Sequence, residues 1–405
     1  MEVHGKEMIK QGAQGDKLHF KELDVLRGLA AILMIVNHVG AALAPASLLA
    51  QPVAGALFFI GSFAPVLFFF VTGIGAGIQS NRPPARGRWL TIGIKVGILF
   101  MADLLMQWGR GRPIGLDFLG FIGLSVLILE VIKTLRFPAI ACAVGIGLVS
   151  LMRYGVAPLL RSLHLELPWV LNWILGNAVE FVSYPLSPWI AYPLLGFLIG
   201  RSLQRYGSLL SGRPTWILLG LTGAGIMPAI GSVLLAQRSE TAFFRWGSVA
   251  IGFYIASFAV VAYGLLLAWA LCCFYSLKPI QSFLALRGVA SFAIVPIHYL
   301  LIDIMTYTGI RVMSVISYTI IGVLVIGIAF LLAYQVETLA KKATRIKAQE
   351  TVWLSLASVV ALFSILTWVG VPNSLLTSLS TTAGQVALCI LFLVRSPFQP
   401  KLAPL

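Results

Sequence analysis

Apolar runs long enough to cross a bilayer follow one another along almost the whole chain, and they restrict it to one kind of fold. A hydrocarbon core of about 30 Å needs about 20 apolar residues in a helix. Inside lipid each segment must satisfy its own backbone N–H and C=O groups, so such runs become helices or closed barrels. The alternation of barrel strands is absent, which leaves an all-α, polytopic transmembrane helix bundle. Composition agrees. Of the 405 residues 59% are hydrophobic and 11% charged, with a mean hydropathy of +0.94.

The runs predict 11–12 spans, at roughly 24–44, 54–79, 88–108, 115–134, 137–152, 186–204, 214–236, 248–275, 284–306, 313–337, 351–370 and 374–395. They divide the chain into a cytoplasmic N-terminal tail (1–22), a transmembrane domain (23–396) and a cytoplasmic C-terminal tail (397–405). The N-terminal segment carries Lys6, Lys10, Lys17 and Lys21 and reads as a tail, not as a cleaved signal. The formal net charge of +15 would suggest nucleic acid in a soluble protein. Here Lys and Arg collect in alternate loops, as the positive-inside rule requires, so no nucleic-acid partner is expected. The alternation predicts both termini on the cytoplasmic side of a cell inner (plasma) membrane. The four cysteines sit in apolar runs without ligand spacing and read as core.

One phrase occurs twice. Leu26-Arg27-Gly28 leads to His38, and Leu286-Arg287-Gly288 leads to His298, each histidine eleven residues after its arginine. In a helix that offset places arginine and histidine on nearly one face, roughly 16 Å apart along the axis. Only five histidines exist in the chain, so two at the same offset stand out. Both spans run in the same direction under the predicted topology. The arginines then sit near the cytoplasmic face and the histidines deeper, at a common depth. Imidazole is the side chain suited to taking a proton near neutral pH. Arg27, Arg82, Arg86, Arg88, Lys95 and Arg287 form a basic inner mouth suited to phosphates. Pro296 should kink the helix beside His298. The glycines of 73–77 allow close helix packing.

Acids within spans are costly and are paired or functional. Asp103 is a candidate site residue, Glu130 pairs with Lys133 at i,i+3, and Asp303 is the third. The segment 153–185, with Trp169 and Trp173, reads as interfacial and suited to covering a cavity. No HExxH, CxxC or nucleotide-binding glycine loop is present, so no metal is expected.

Leu23-Asp24-Val25-Leu26-Arg27-Gly28-Leu29 with His38 resembles the opening helix of membrane acyltransferases. These are the acyltransferase-3 group and the bacterial relatives of heparan-alpha-glucosaminide N-acetyltransferase. The second group is the closer resemblance. Phe63-Ala64-Pro65-Val66-Leu67-Phe68-Phe69-Phe70-Val71-Thr72-Gly73, Leu119-Gly120-Phe121-Ile122-Gly123-Leu124-Ser125, and Tyr184-Pro185-Leu186-Ser187-Pro188-Trp189-Ile190 are similar to its later helices. The segment ending Ile297-His298 resembles a late helix with a histidine. The resemblance implies transfer of an acyl group, often acetyl from acetyl-CoA, to a carbohydrate or glycolipid on the far side. It implies His38 as acceptor-side base or acyl carrier, with His298 assisting, and Arg27 on the donor. Asn37 and Asp103 are expected to position the acceptor. Asn37 stands where those relatives often have an acid. The rival expectation is a proton-coupled secondary transporter of a small polar or anionic substrate, since repeats and intramembrane charges suit it too.

Overall fold

A computed structural model describes residues 20–80, 87–112, 115–164, 166–176, 182–210, 250–273, 275–394 and 396–397. Among these, eight helices are long and apolar enough to cross a membrane, and a shorter apolar helix covers Leu375–Leu391. The expected span 214–236 lies outside the described residues.

The helices are α1 (Lys21–Leu43), α2 (Pro52–Gly61), α3 (Ala64–Ile78), α4 (Arg88–Gly109), α5 (Phe118–Thr134), α6 (Pro138–Leu151), α7 (Trp169–Leu175), α8 (Ala191–Leu210), α9 (Ile251–Cys273), α10 (Ala290–Tyr307), α11 (Val315–Thr344), α12 (Gln349–Val369) and α13 (Leu375–Leu391). No extended strand forms among the described residues; there is one isolated bridge, Leu116 to Val182. The bundle is built around α1, which packs on α2, α3, α9, α10 and α11. Val25, Leu26, Ala30, Ala31, Ile35 and Val39 of α1 are buried. The lipid-facing side of the outer helices explains the exposed Ile316, Ile320, Leu362 and Trp368.

Glycines set two of the closest approaches. A Cβ on Gly73 would lie 2.0 Å from the Pro193 carbonyl oxygen, and one on Gly196 would lie 2.0 Å from that of Phe70. Gly77 and Gly200, one turn further on, are equally closed by the Phe197 and Ile74 carbonyls. A Gly-xxx-Gly face on α3 therefore meets a Gly-xxx-Gly face on α8, backbone against backbone. Gly28 plays the same part for α1, where a Cβ would meet the Leu284 carbonyl oxygen at 1.9 Å. That contact lets Leu286 N–H donate to the Asp24 carbonyl at 3.1 Å. The two copies of Leu-Arg-Gly are thus pressed against each other.

Four boundaries differ from expectation. The span 54–79 is broken between Gly61 and Ala64, because Pro65 lacks an N–H and restricts the residue before it. The span 137–152 continues through a π-helical turn at Met152–Val156 into Ala157–Ser162. The span 284–306 begins only at Ala290; residues 285–289 form a non-helical crossing beneath α1. α11 is longer than expected. It opens on a Ser314/Ser317 capping box and closes on Lys341 and Lys342, whose charges suit a helix C-terminus.

Gly73→Val should cost about 1–3 kcal/mol by overpacking, read as a lower melting temperature and less monodisperse protein in detergent. Gly75→Ala, where a Cβ meets nothing within 4 Å, should leave both unchanged.

Candidate active site

The repeated phrase makes two contacts, one near each end of the paired helices α1 and α10. At the first, Arg27 Nη1 lies 2.6 Å from Asp24 Oδ1, and Arg287 Nε lies 3.4 Å from Asp24 Oδ2. Asp24 is 3% exposed, so one buried carboxylate holds both arginines. Two cations on one anion leave the cluster net positive, and half of the Arg287 side chain is open.

At the other end the histidines meet. His38 Nδ1 and His298 Nε2 are 2.8 Å apart. His298 Nδ1 is 2.8 Å from the Ile294 carbonyl oxygen. Assigned from this network, the tautomers follow without choice. A carbonyl only accepts, so His298 Nδ1 carries the hydrogen. In the neutral ring, Nε2 of His298 must then accept, and His38 Nδ1–H donates to it. The lone pair of His38 is left on Nε2. Pro296 stands in the turn between Ile294 and His298 and removes one helical hydrogen bond there. His298 is fully buried, whereas His38 lines a cavity. His298 therefore meets the cavity only through its hydrogen bond to His38.

That cavity has a volume of about 250 Å³ and is lined by Asn37, His38, Arg110, Asp117, Tyr184 and Tyr299 among others. Tyr299 Oη lies 3.4 Å from His38 Nε2, and the two rings stack at 4.8 Å. The Arg110 guanidinium covers the other aromatic wall, 4.5 Å from the centre of the Tyr299 ring, and lies 3.6 Å from Asp117 Oδ2. Burial opposes the Arg110 charge, but Tyr299 and Asp117 outweigh it and hold its pKa above the ordinary value. The break between α2 and α3 brings Gly61, Ser62, Ala64 and Pro65 to the same cavity. The end of the 153–185 segment also reaches it, through Ser183 and Tyr184. Ser183 N–H donates to the Leu116 carbonyl at 3.1 Å. Trp173 Nε1 donates to the Tyr184 carbonyl at 3.2 Å, while Trp169 is 65% exposed. Glu180 lies outside the described residues.

The remaining expected residues fall in different places. Asn37 lines the cavity, and its Nδ2 donates to the Phe58 carbonyl at 2.9 Å. Asp103 does not line it. Its Oδ2 accepts the Asp117 backbone N–H at 2.7 Å, so this acid positions the loop that carries Asp117. Arg88 is engaged by Glu130, which also takes Lys133 at 2.6 Å. It ties α4 to α5, with two cations sharing one acid. Arg82 and Arg86 lie outside the described residues. Arg110, Asp117 and Tyr299 were not legible as site residues. Arg110 reads in the sequence as one more loop charge, and only the adjacency of Tyr299 to His298 was available as a signal.

The family model for heparan-alpha-glucosaminide N-acetyltransferase, catalytic, matches residues 19–225, half of the chain. The chain belongs to that family. No curated protein matches it. Of the two resemblances in the sequence, the matching model carries the second. The protein is therefore a multi-pass membrane protein of an acetyltransferase family. The matched region contains Arg27, His38, Arg110, Asp117 and Tyr184 and stops before His298 and Tyr299. The second half of the dyad comes from the part of the chain beyond it.

Carbethoxylation with diethyl pyrocarbonate, mapped by mass spectrometry, should modify His38 in the folded protein and spare the buried His298. His164, exposed at the end of its helix, is the reactive reference. Modification of His298 before His38 would contradict the arrangement.

Proposed function

We propose that this protein is an acetyl-CoA-dependent acetyltransferase acting on a carbohydrate or glycolipid hydroxyl or amine. The observation that carries the reading is the order of hydrogen bonds from Ile294 through His298 to His38, which leaves the His38 lone pair in a polar cavity. A general base requires that exposure, and a second ring behind it fixes the tautomer and steadies the imidazolium that forms. The family membership supports the transfer of acetyl.

In the proposed reaction His38 Nε2 takes the proton of the acceptor. The acceptor oxygen or nitrogen bonds to the thioester carbonyl carbon, the C–S bond breaks, and the proton returns to the departing thiolate. Arg110 lies beside His38 on the cavity wall and would stabilise the oxyanion that develops on that carbonyl. Tyr299 Oη is close enough to share in it. Arg27 and Arg287 suit the phosphates of the donor, because Asp24 orients them and leaves positive charge over. The distance of roughly 16 Å along α1 from Arg27 to His38 suits an extended donor reaching from one face toward the other.

With Lys and Arg concentrated in alternate loops, the donor would enter from the cytoplasm and the acceptor from outside, in the cell inner membrane, with both termini cytoplasmic. The transporter alternative takes the repeated phrase as a mark of two halves. In this fold the two copies make one clamp and one dyad, which favours the enzyme.

Release of free CoA thiol from acetyl-CoA by the purified protein tests the reading. His38→Ala should lower it by about 10²–10⁴-fold. His298→Ala should lower it by about 10²-fold through loss of alignment. A wild-type protein that neither binds acetyl-CoA nor releases CoA would overturn the proposal.

A further inference from the structure

A second cavity, of about 310 Å³, lies on the far side of Arg110 and Tyr299. Those two side chains line both cavities, so a guanidinium and a phenol ring are the partition between them. The volume falls near the lower limit, about 300 Å³, of clefts that hold small ligands.

Its chemistry differs from that of an ordinary helix–helix gap. α13 turns Ser378, Thr381, Thr382 and Gln385 into it, and the spacing places all four on one helical face. α10 contributes Asp303, one turn beyond Tyr299, with Ser378 beside its carboxyl group. Asp303 makes no direct ion pair within 4 Å among the described residues; Arg110, on the wall of the same cavity, offsets its charge from further away. An acid held in a spanning helix without a direct ion pair is costly unless it faces water or a ligand. The loop before α13 adds Asn373, held in the left-handed region at φ 57° and docked by its N–H on the Gly109 carbonyl at 3.0 Å. Gln385 is also fixed, its Nε2 donating to the Ala102 carbonyl at 2.7 Å.

A carboxylate, two amides and several hydroxyls beside tyrosine rings match one ligand class above others. Sugar rings present vicinal hydroxyls or amines to planar polar side chains, and their C–H faces to aromatic rings. An acyl chain or a pantetheine arm would find little use for a half-buried carboxylate. We propose that this second cavity is a saccharide subsite, in which Asp303, Asn373 and the polar face of α13 hold the sugar ring next to the one that reacts at His38. The ligand class rests on the acetyltransferase reading above. Arg110 and Tyr299 then contact both rings and set the register of the acceptor across the partition. The subsite also gives a function to the last helix, which lies outside the matched family region.

The test is saturation-transfer difference NMR on the full-length protein in nanodiscs, with the β-1,4-linked glucosamine disaccharide as probe. Saturation should reach the ring protons of the disaccharide in wild type. Asp303→Asn and Thr382→Val, both close to isosteric, should each reduce the signal several-fold. Two variants are used so that one poorly folding protein, seen by size-exclusion profile and melting, does not decide the result. Unchanged transfer in the folded variants, or none in wild type, would overturn the subsite. CoA release by wild type is scored separately. Release without disaccharide binding removes the subsite alone. Binding sensitive to Asp303 with no release keeps the subsite and removes the acetyltransferase.

Discussion

The contact on which the site depends is the hydrogen bond between two imidazoles, His38 on α1 and His298 on α10. Two side chains about 260 residues apart in sequence can meet at 2.8 Å only if their helices are fixed in rotation, in depth and in separation. Each of these is set by another contact. Asp24 between Arg27 and Arg287 fixes the depth, since a buried carboxylate holds a cation from either copy of the phrase. Gly28 fixes the separation, because only a residue without a Cβ allows the Leu284 carbonyl so close to α1. Tyr318 on α11 donates to the Val36 carbonyl at 2.6 Å and holds the histidine-bearing turn of α1 from the other side.

Around that dyad the fold places irregular backbone where a site needs it. The interruption between α2 and α3, the residues Arg110, Arg112 and Asp117 beyond α4, and the chain at Ser183–Tyr184 all reach the same cavity. Non-helical backbone at membrane depth survives when it is buried in protein or borders a polar space. Here the Leu116 and Val182 segments pair with each other, and Asp103 takes the Asp117 N–H. The acid thus serves the loop, and the loop delivers Asp117 to Arg110. The family match covers this scaffold and the base. The partner histidine, the tyrosine wall and the second cavity come from α10 and α13.

The all-α bundle was legible because lipid removes every other option, and composition alone reports lipid. The Arg–His phrase was legible because its residue types are rare in this chain and its spacing is helical. Their meeting in space depends on Gly28 and on the crossing at 285–289, whose backbone approach leaves no mark in hydropathy. Arg110 could not be told from a topological loop charge. It matters only because α4 ends where Tyr299 lies, and that is set by the packing of α4 on α13. Arg88 and Asp103 show the converse. Each is a charged group in a costly place away from the first cavity, and each has a structural partner, Glu130 in one case and a backbone N–H in the other. The break at Gly61–Ala64 leaves no mark in hydropathy, and Pro65 is the sequence feature that accounts for it.

In the hydrogen-bond order from Ile294 through His298, His38 is the tautomer with its lone pair on Nε2, open to the cavity. Nitrogen-15 NMR of the histidine-labelled protein in nanodiscs at neutral pH measures this directly, with His38 assigned by its loss in His38→Ala. The expected result is a protonated, pyrrole-type Nδ1 and an unprotonated, pyridine-type Nε2 for His38, with that preference lost in His298→Ala. A His38 ring carrying its hydrogen on Nε2, indifferent to removal of His298, would contradict it.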